Sequence, residues 1–254
     1  MFLRTVQATA FRSIFEVLKD VLHDINIVFD ETGVKILTLD TAKVTLIDLH
    51  LPAENFEEYH PPTNGSKEVA GINMSNMFKL LKIIGNNDIL TMSITTSVKI
   101  DITVENAEKR SKTRFTLNLL DINEDFFESP EMPDDLVETV VPSGDFQRIC
   151  RDMGNIAKKV SISRHTDKLA ISCQGDFASQ STEIQFPEEV DDVMKGTYSL
   201  QYLNLFTKAT GLSSNVVLRQ TASVNFLVLN YSVANLGYLD FYLASDADVD
   251  GDDS

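Results

Sequence analysis

The sequence lacks any apolar stretch that approaches the roughly 20 residues required by a membrane-spanning helix. Met1 leads directly into the segment FLRTVQA, without the apolar region of a secretory signal peptide. The chain has only two cysteines, Cys150 and Cys173, and no Cys-x-x-Cys pair. We therefore expect a soluble intracellular protein, with no membrane partner, whose cysteines are reduced core residues rather than a disulfide or a metal pair.

Signatures of common enzymes are missing as well. The sequence contains no GxxxxGK phosphate-binding loop, no GxSxG motif and no Cys/His nucleophile arrangement. Its four histidines are scattered without the spacing of metal ligands. The acidic tail from Asp246 to Gly251 resembles the start of an EF-hand loop, but the sequence stops at Ser254, before the glutamate required at the twelfth position. We expect no catalytic residue, no metal site and no cofactor.

Positive charge is scarce, since 22 basic residues stand against 38 acidic ones and the formal net charge is −16. Such a balance argues at first against a nucleic-acid partner. From Phe115 to Gln147 there is no basic residue at all, and Pro130 and Pro133 disfavour a helix or central strand there. This acidic stretch is predicted to be an extended connector between two domains.

Strand-type alternation is frequent in the rest of the chain. The clearest case is 98–104, where Val98, Ile100, Ile102 and Val104 alternate with polar residues. Further short strands are predicted at 2–7, 25–30, 34–39, 43–51, 88–94, 112–119, 168–173, 180–186, 215–219, 223–231 and 236–243.

Only four segments have helical periodicity, and they recur in the same order. The first helix contains Phe11 and the third contains Phe146, each followed by apolar residues at positions i+3, i+4 and i+7. The second, 75–84, precedes Gly85, and the fourth, around 200–210, precedes Gly211. The shifts are 135 and 126 residues, about half the chain. The sequence therefore predicts an α+β protein built of two similar domains.

The helical segments carry a net positive charge although the whole chain is acidic. Segments 8–21, 75–84, 143–159 and 200–212 contain nine bases and four acids, so they carry +5 and the remainder carries −21. A solvated polar face is the simpler interpretation of any single helix. If all four lined one surface, however, an acidic molecule would present a basic lining that attracts phosphates without reading sequence.

The order of motifs resembles the proliferating cell nuclear antigen family over essentially the whole chain. The strongest stretches are PSGDFQRICRDM at 142–153 and LQYLNLFTKATGLSS at 200–214, supported by NMFKLLKIIGNND at 76–88, LDTAKVTLIDL at 39–49 and LGYLDFYLA at 236–244. The resemblance implies a homotrimeric ring of six like domains, with antiparallel sheets outside and two helices per domain inside, around duplex DNA. It divides the chain into domains at 1–117 and 136–245, a connector at 118–135 and an acidic tail at 246–254.

The resemblance also implies three sets of site residues. DNA-facing positions fall on Arg12, Lys19, Lys79, Lys82, Arg148, Arg151 and Lys208. Projecting the four helices onto helical wheels selects the same bases, together with Lys158. Lys112 is a further candidate. The strand at about 109–117 pairs with the strand at about 177–186 of a neighbouring subunit, so Phe115, Leu117, Ile184 and Phe186 are interface candidates. A groove for partner peptides of the type Gln-x-x-aliphatic-x-x-aromatic-aromatic comprises Leu39, Val44, Leu46, Phe127, Pro130, Tyr242 and Ala244.

The function implied is that of a DNA sliding clamp, a non-enzymatic processivity factor for replication and repair. Its expected partners are double-stranded DNA bound without sequence preference, DNA polymerase, a separate clamp loader and other proteins with such peptides. The expected location is the nucleus, or a viral replication site if the source is viral. Alternatives are a checkpoint-type clamp, a monomeric processivity subunit and, more distantly, a nucleic-acid-processing enzyme on a duplicated α+β scaffold.

Overall fold

The structure, a computed structural model, describes residues 1–40, 42–123, 129, 130, 132, 133, 135–187, 194–221 and 225–246. The chain divides into two compact units. The first comprises Met1–Ser129, Gly211–Ser213 and Ser232–Asp240, and the second comprises Pro130–Thr210, Ser214–Tyr231 and Phe241–Ser254.

The described residues form 17 strands, four α-helices and three short 3-10 helices. The strands are β1 Phe2–Thr5, β2 Asp24–Asp30, β3 Gly33–Leu39, β4 Thr45–Pro52, β5 Glu58–His60, β6 Glu68–Asn73, β7 Asp88–Thr96, β8 Lys99–Asn106, β9 Ser111–Asn118, β10 Val137–Pro142, β11 Lys159–Arg164, β12 Lys168–Gln174, β13 Ser179–Gln185, β14 Met194–Ser199, β15 Asn215–Gln220, β16 Phe226–Val233 and β17 Gly237–Ala244. The α-helices are α1 Ala8–Leu18, α2 Met74–Leu81, α3 Ser143–Gly154 and α4 Leu200–Phe206. The 3-10 helices are Ala53–Asn55, Thr63–Gly65 and Thr207–Gly211.

The first unit contains an antiparallel sheet in the order β5-β1-β7-β8-β9 and a strand series β4-β3-β2-β6. Its helices, α1 and α2, pack against each other. The apolar stripe of α1, including Phe11, Ile14 and Phe15, is buried together with Ile100 and Ile102 of β8. The sheet therefore has one face in the core and one face in solvent, the arrangement expected for strands that alternate apolar and polar residues.

The second unit repeats these components. It contains the antiparallel sheet β13-β12-β11-β14 and the strand series β10-β15-β16, together with the helix pair α3 and α4. Its core includes Phe146 of α3 and a stacked pair, Phe206 and Phe241, whose ring centres lie 4.5 Å apart. The predicted α+β class, with antiparallel sheets and two helices in each domain, is confirmed.

Several predicted boundaries differ from the structure. The second helix ends at Leu81 rather than near Ile84, and the fourth ends at Phe206, where a 3-10 helix continues to Gly211. Strands β5, β6, β10, β11 and β14 have no counterpart among the predicted strands. Each of them has six residues or fewer, so little local pattern marks them in the sequence, and pairing with neighbouring strands determines them.

The two cysteines are both free and buried, as predicted. Burial raises the pKa of the Cys150 thiol to about 12. None of the described helices is long and apolar enough to cross a membrane. Among the described residues, no group of three or more His, Cys, Asp or Glu side chains is arranged to hold a metal ion.

Candidate nucleic-acid interface

Two predicted DNA-facing bases of the first unit connect its helices. Arg12 of α1 is half-buried, and its Nη1 donates a 2.6 Å hydrogen bond to the backbone carbonyl of Ile84, shortly after α2. Lys19 follows the last residue of α1, and its ammonium group lies 5.3 Å from the centre of the Phe78 ring on α2. Both side chains are therefore held at the helix pair rather than extended freely into solvent.

The other two bases of this helix pair are exposed. Lys79 donates a 3.2 Å hydrogen bond to Oδ1 of Asn76, one turn earlier on α2. Lys82 immediately follows α2 and forms no ion pair with any acid in the part of the chain that the structure describes. Positive charge at a helix C-terminus is favourable because of the helix dipole. A phosphate can reach both ammonium groups from solvent.

The second unit presents its bases on α3 and on the segments that follow α3 and α4. Arg148, Arg151, Lys158 and Lys208 are all exposed. Asn204 of α4 donates a 3.2 Å hydrogen bond from Nδ2 to the carbonyl of Cys150, and this contact links α4 to α3. The two helices of this unit, with the segments that follow them, thus present four basic side chains to solvent.

Acidic residues on the same helices partly neutralise these bases. Arg148 pairs with Asp145 at 3.0 Å, and Arg151 lies 3.8 Å from Asp152. In the first unit Lys19 pairs with Asp20 at 2.8 Å. Exposed ion pairs contribute at most about 1 kcal/mol, so a phosphate can compete for these cations. The three-residue spacing of Asp145 and Arg148 on a helix predicts their pairing from the sequence. The other two pairs join residues that are adjacent in the sequence, and adjacency does not predict pairing.

Lys112 does not lie with the helical bases. It lies on β9, opposite Glu105 of β8, and the two side chains form an ion pair. Both belong to the solvent face of the sheet, because the alternate residues Ile102 and Val104 are buried on the face that packs on the helices. The hydrogen bond from Lys112 lowers the pKa of Glu105. Lys112 is therefore placed differently from the other predicted DNA-binding residues.

The predicted subunit-interface residues lie on or next to the edge strands of two sheets. Phe115 and Leu117 are half-buried on β9, opposite Ile102 and Ile100 of β8. β9 is the last strand of its sheet.

In the second unit, β13 is likewise an outermost strand. Ile184 lies on it opposite Leu169, and Phe186 follows it with the Arg164 guanidinium 5.0 Å from its ring centre. All four predicted interface residues are only half-buried in the single chain.

The predicted peptide-groove residues are divided between the two units. In the first unit Leu39 of β3 lies opposite Leu46 of β4, and both are half-buried. Val44 in the preceding loop is 43% exposed. The Asp40 carboxylate shapes this loop by accepting hydrogen bonds from the backbone N–H groups of Val44 and Thr45 at 2.7 and 2.9 Å.

The second unit contains the predicted groove residues Pro130, Tyr242 and Ala244. Tyr242 is buried, with its ring 5.8 Å from that of Phe226, whereas Ala244 is exposed. Phe127 lies outside the described residues. The structure also reveals a connector contact that sequence reasoning missed, a 2.7 Å hydrogen bond from the Ser129 hydroxyl to Asp48 of β4.

Comparison with known proteins gives consistent matches along the chain. Residues 1–127 match the model of the proliferating cell nuclear antigen N-terminal domain, and residues 132–246 match the model of its C-terminal domain. The chain is 37% identical to a probable DNA polymerase sliding clamp 1 of Paramecium bursaria Chlorella virus 1, and the alignment covers 95% of each protein. Both domain models occur in their expected order over nearly the full length, and this chain therefore belongs to the proliferating cell nuclear antigen family.

Proposed function

We propose that this chain is a DNA sliding clamp that holds a DNA polymerase on duplex DNA. The observation that carries this conclusion is the match of both clamp domains, in order, over residues 1–127 and 132–246. The clamp raises the effective concentration of its partner at the DNA and lowers no chemical barrier itself. It needs no cofactor, and a separate loader supplies the energy for opening.

The proposed DNA contacts are the exposed bases of the four helices. Lys79 and Lys82 in the first unit and Arg151 and Lys158 in the second present cations on or just after amphipathic helices. Contacts of this kind are made to phosphates and are independent of base sequence. Weak, exchangeable contacts suit a protein that slides, because no single register along the duplex is preferred.

The proposed assembly is a homotrimeric ring closed by edge-strand pairing between copies. Unpaired strand edges are otherwise sites of unwanted association. Pairing of β9 with β13 of a second copy would cover both edges and bury Phe115, Leu117, Ile184 and Phe186. Closure in a ring of three leaves no such edge exposed.

Partner proteins are proposed to bind through short peptides with an aliphatic residue and two aromatic ones. Leu39, Val44 and Leu46 supply apolar surface in the first unit, and such surface suits aromatic anchors. These partners include polymerase, the clamp loader and repair proteins. The proposed location is the nucleus, or the viral replication site if the source is viral.

The test combines mass with DNA topology. Light scattering over a dilution series should give a species of three times the 28.4 kDa chain mass. Linear duplex is anchored to beads at one end, and the protein is allowed to thread onto it through the open free end. That end is then either capped with a bulky protein or left open. A ring is retained through a high-salt wash only on capped DNA. A persistent monomer would identify a monomeric processivity subunit instead, and equal retention on both DNAs would rule out encirclement.

A further inference from the structure

We infer that two copies of this chain are joined by a row of four alternating charges, in which Lys112 of one copy faces Glu183 of the next. The row would run Glu105, Lys112, Glu183, Lys168 across four neighbouring strands. This inference rests on the proposed ring and assigns Lys112 to the seam between copies rather than to DNA.

The two edges to be joined carry opposite charge. Residues 109–118, which include β9, contain four bases and no acid. Residues 176–192, which include β13, contain six acids and no base. Oppositely charged surfaces favour correct association and disfavour wrong pairings, such as β9 with a second β9. The partner that fits the basic edge is therefore the acidic edge of a second copy.

The faces of the strands restrict the register. On β9 the odd-numbered residues, such as Phe115, face the core side and the even-numbered ones, such as Lys112, face solvent. On β13 the order is reversed, because even-numbered Ile184 is half-buried and odd-numbered Glu183 is exposed. If the two strands pair antiparallel and their half-buried residues are to lie on the same face of the joined sheet, even-numbered residues of β9 must lie opposite odd-numbered residues of β13.

The pairing implied by the family resemblance satisfies this requirement. It places about nine residues, 109–117, opposite about ten, 177–186, in antiparallel order, so these ranges alone leave neighbouring registers open. Among the registers that keep the core side continuous, we choose the one with Lys109 opposite Phe186, because it joins opposite charges across the seam. Counting three residues inward from each end brings Lys112 opposite Glu183. Arg114, two residues further along the same face, then lies opposite Ser181.

Both seam residues are already part of an ion pair within their own unit. Lys112 pairs with Glu105, and Lys168 pairs with Glu183 at 2.8 Å. The Lys112 and Glu183 side chains remain 48% and 49% exposed, so each has surface left for another partner. An ammonium group has three donors and a carboxylate accepts several hydrogen bonds. Joining the edges would therefore link two existing pairs into one network without breaking either.

Networks of charges contribute more to stability than isolated exposed ion pairs do. Each ring would contain three such rows, because each copy supplies one β9 and one β13. Ring assembly should consequently weaken as salt screens the rows. This dependence distinguishes the row from the apolar contacts of Phe115 and Leu117, which screening affects little.

The test is a reciprocal charge reversal measured by light scattering over a dilution series. Lys112→Glu and Glu183→Lys should each raise the concentration of half-dissociation by about tenfold or more at low salt. The double variant Lys112→Glu/Glu183→Lys should return to within about threefold of wild type. As a matched control, Glu183→Lys should not rescue Arg114→Glu, whose side chain shares the face but lies opposite Ser181.

The outcomes separate this inference from the ring itself. If wild type is trimeric and both single reversals leave dissociation unchanged, or the double variant fails to recover, the charge row is wrong and the ring stands. Rescue of Arg114→Glu by Glu183→Lys would likewise overturn the Lys112–Glu183 register. If wild type is monomeric at every concentration, the ring fails and the row fails with it.

Discussion

The hydroxyl of Ser129 donates a 2.7 Å hydrogen bond to Oδ2 of Asp48. This bond joins the acidic connector to β4 within the first unit. Asp48 is only 6% exposed, and burial raises its pKa, although Ser129, His50 and Lys35 act in the opposite direction. The Asp48 carboxyl group therefore lies at a buried site that disfavours its charged form. The contact fixes a defined point of the connector on the sheet.

Asp48→Asn should stabilise the protein at neutral pH and change its pH dependence. Because the pKa of Asp48 is raised in the folded state, the folded protein binds this proton more tightly than the unfolded chain does. The contribution of Asp48 to wild-type stability is therefore lost as pH rises from its ordinary pKa near 3.8 through its raised pKa in the folded protein. Asparagine keeps an acceptor for Ser129 and removes the charge. Urea unfolding should show the variant more stable at pH 7 and the advantage shrinking toward about pH 4.

Ser129→Ala is the matched control for this contact. It leaves the Asp48 carboxylate buried without the hydroxyl, so it should lower the unfolding free energy by about 1–2 kcal/mol at pH 7. Equal pH profiles for wild type and Asp48→Asn would contradict the assigned role of the Asp48 charge.

The extent to which the sequence predicts this protein depends on whether a feature is local. The stripe of Phe11, Ile14 and Phe15 predicts α1 because helical periodicity is visible within a few residues. The Ser129–Asp48 bond joins positions 81 residues apart, and the pairing of Lys112 with Glu105 depends on strand register. Neither has a local signature. Charge alone accordingly groups Lys112 with bases that lie on the helices, although it lies on a strand.

Phe127→Ala should weaken partner-peptide binding at least about tenfold, because a buried aromatic contact typically contributes more than 1 kcal/mol. Phe127 lies outside the described residues, so the prediction depends on the family resemblance. The measurement is a titration with a peptide of the type Gln-x-x-aliphatic-x-x-aromatic-aromatic. Val98→Ala, at a 59% exposed position of the first unit, should leave the affinity unchanged. Unchanged affinity for Phe127→Ala would remove this residue from the groove.

Gly71→Ala should destabilise the start of the connector. A Cβ atom at Gly71 would lie 2.2 Å from the backbone carbonyl oxygen of Leu120, to which Gly71 is bridged. Backbone cannot yield as a flexible side chain can, so we expect a loss of about 1–3 kcal/mol in urea unfolding. Gly144→Ala on α3 meets no atom within 4 Å and should be neutral or stabilising. Equal behaviour of the two variants would contradict this close approach.

Cys150 should be chemically silent in the folded protein. Burial raises the pKa of its thiol to about 12, and only the thiolate reacts with disulfide reagents. Its reaction with an aromatic disulfide at pH 8 should be at least about a hundredfold slower than in the urea-unfolded chain. In the variant Cys150→Ser only Cys173 can react, so comparing its reaction rate with that of wild type gives the rate of Cys150. Rapid modification of Cys150 without unfolding would contradict its burial.

Removing helical bases should weaken the salt-dependent binding of duplex DNA, because these bases are proposed to contact phosphates. Lys82 and Lys158 are exposed, one in each unit, and neither pairs with an acid among the described residues. Each phosphate neutralised by a lysine releases a counterion, so Lys82→Ala and Lys158→Ala should each make the plot of log affinity against log salt shallower, by about one for each subunit whose lysine contacts a phosphate. Lys67→Ala, an exposed base outside the helices, is the control of equal charge. If all three variants changed the slope equally, net charge rather than the helical surface would govern binding. A change confined to the helical variants, with no preference between DNA sequences, is the behaviour required of a surface that holds a duplex and still slides along it.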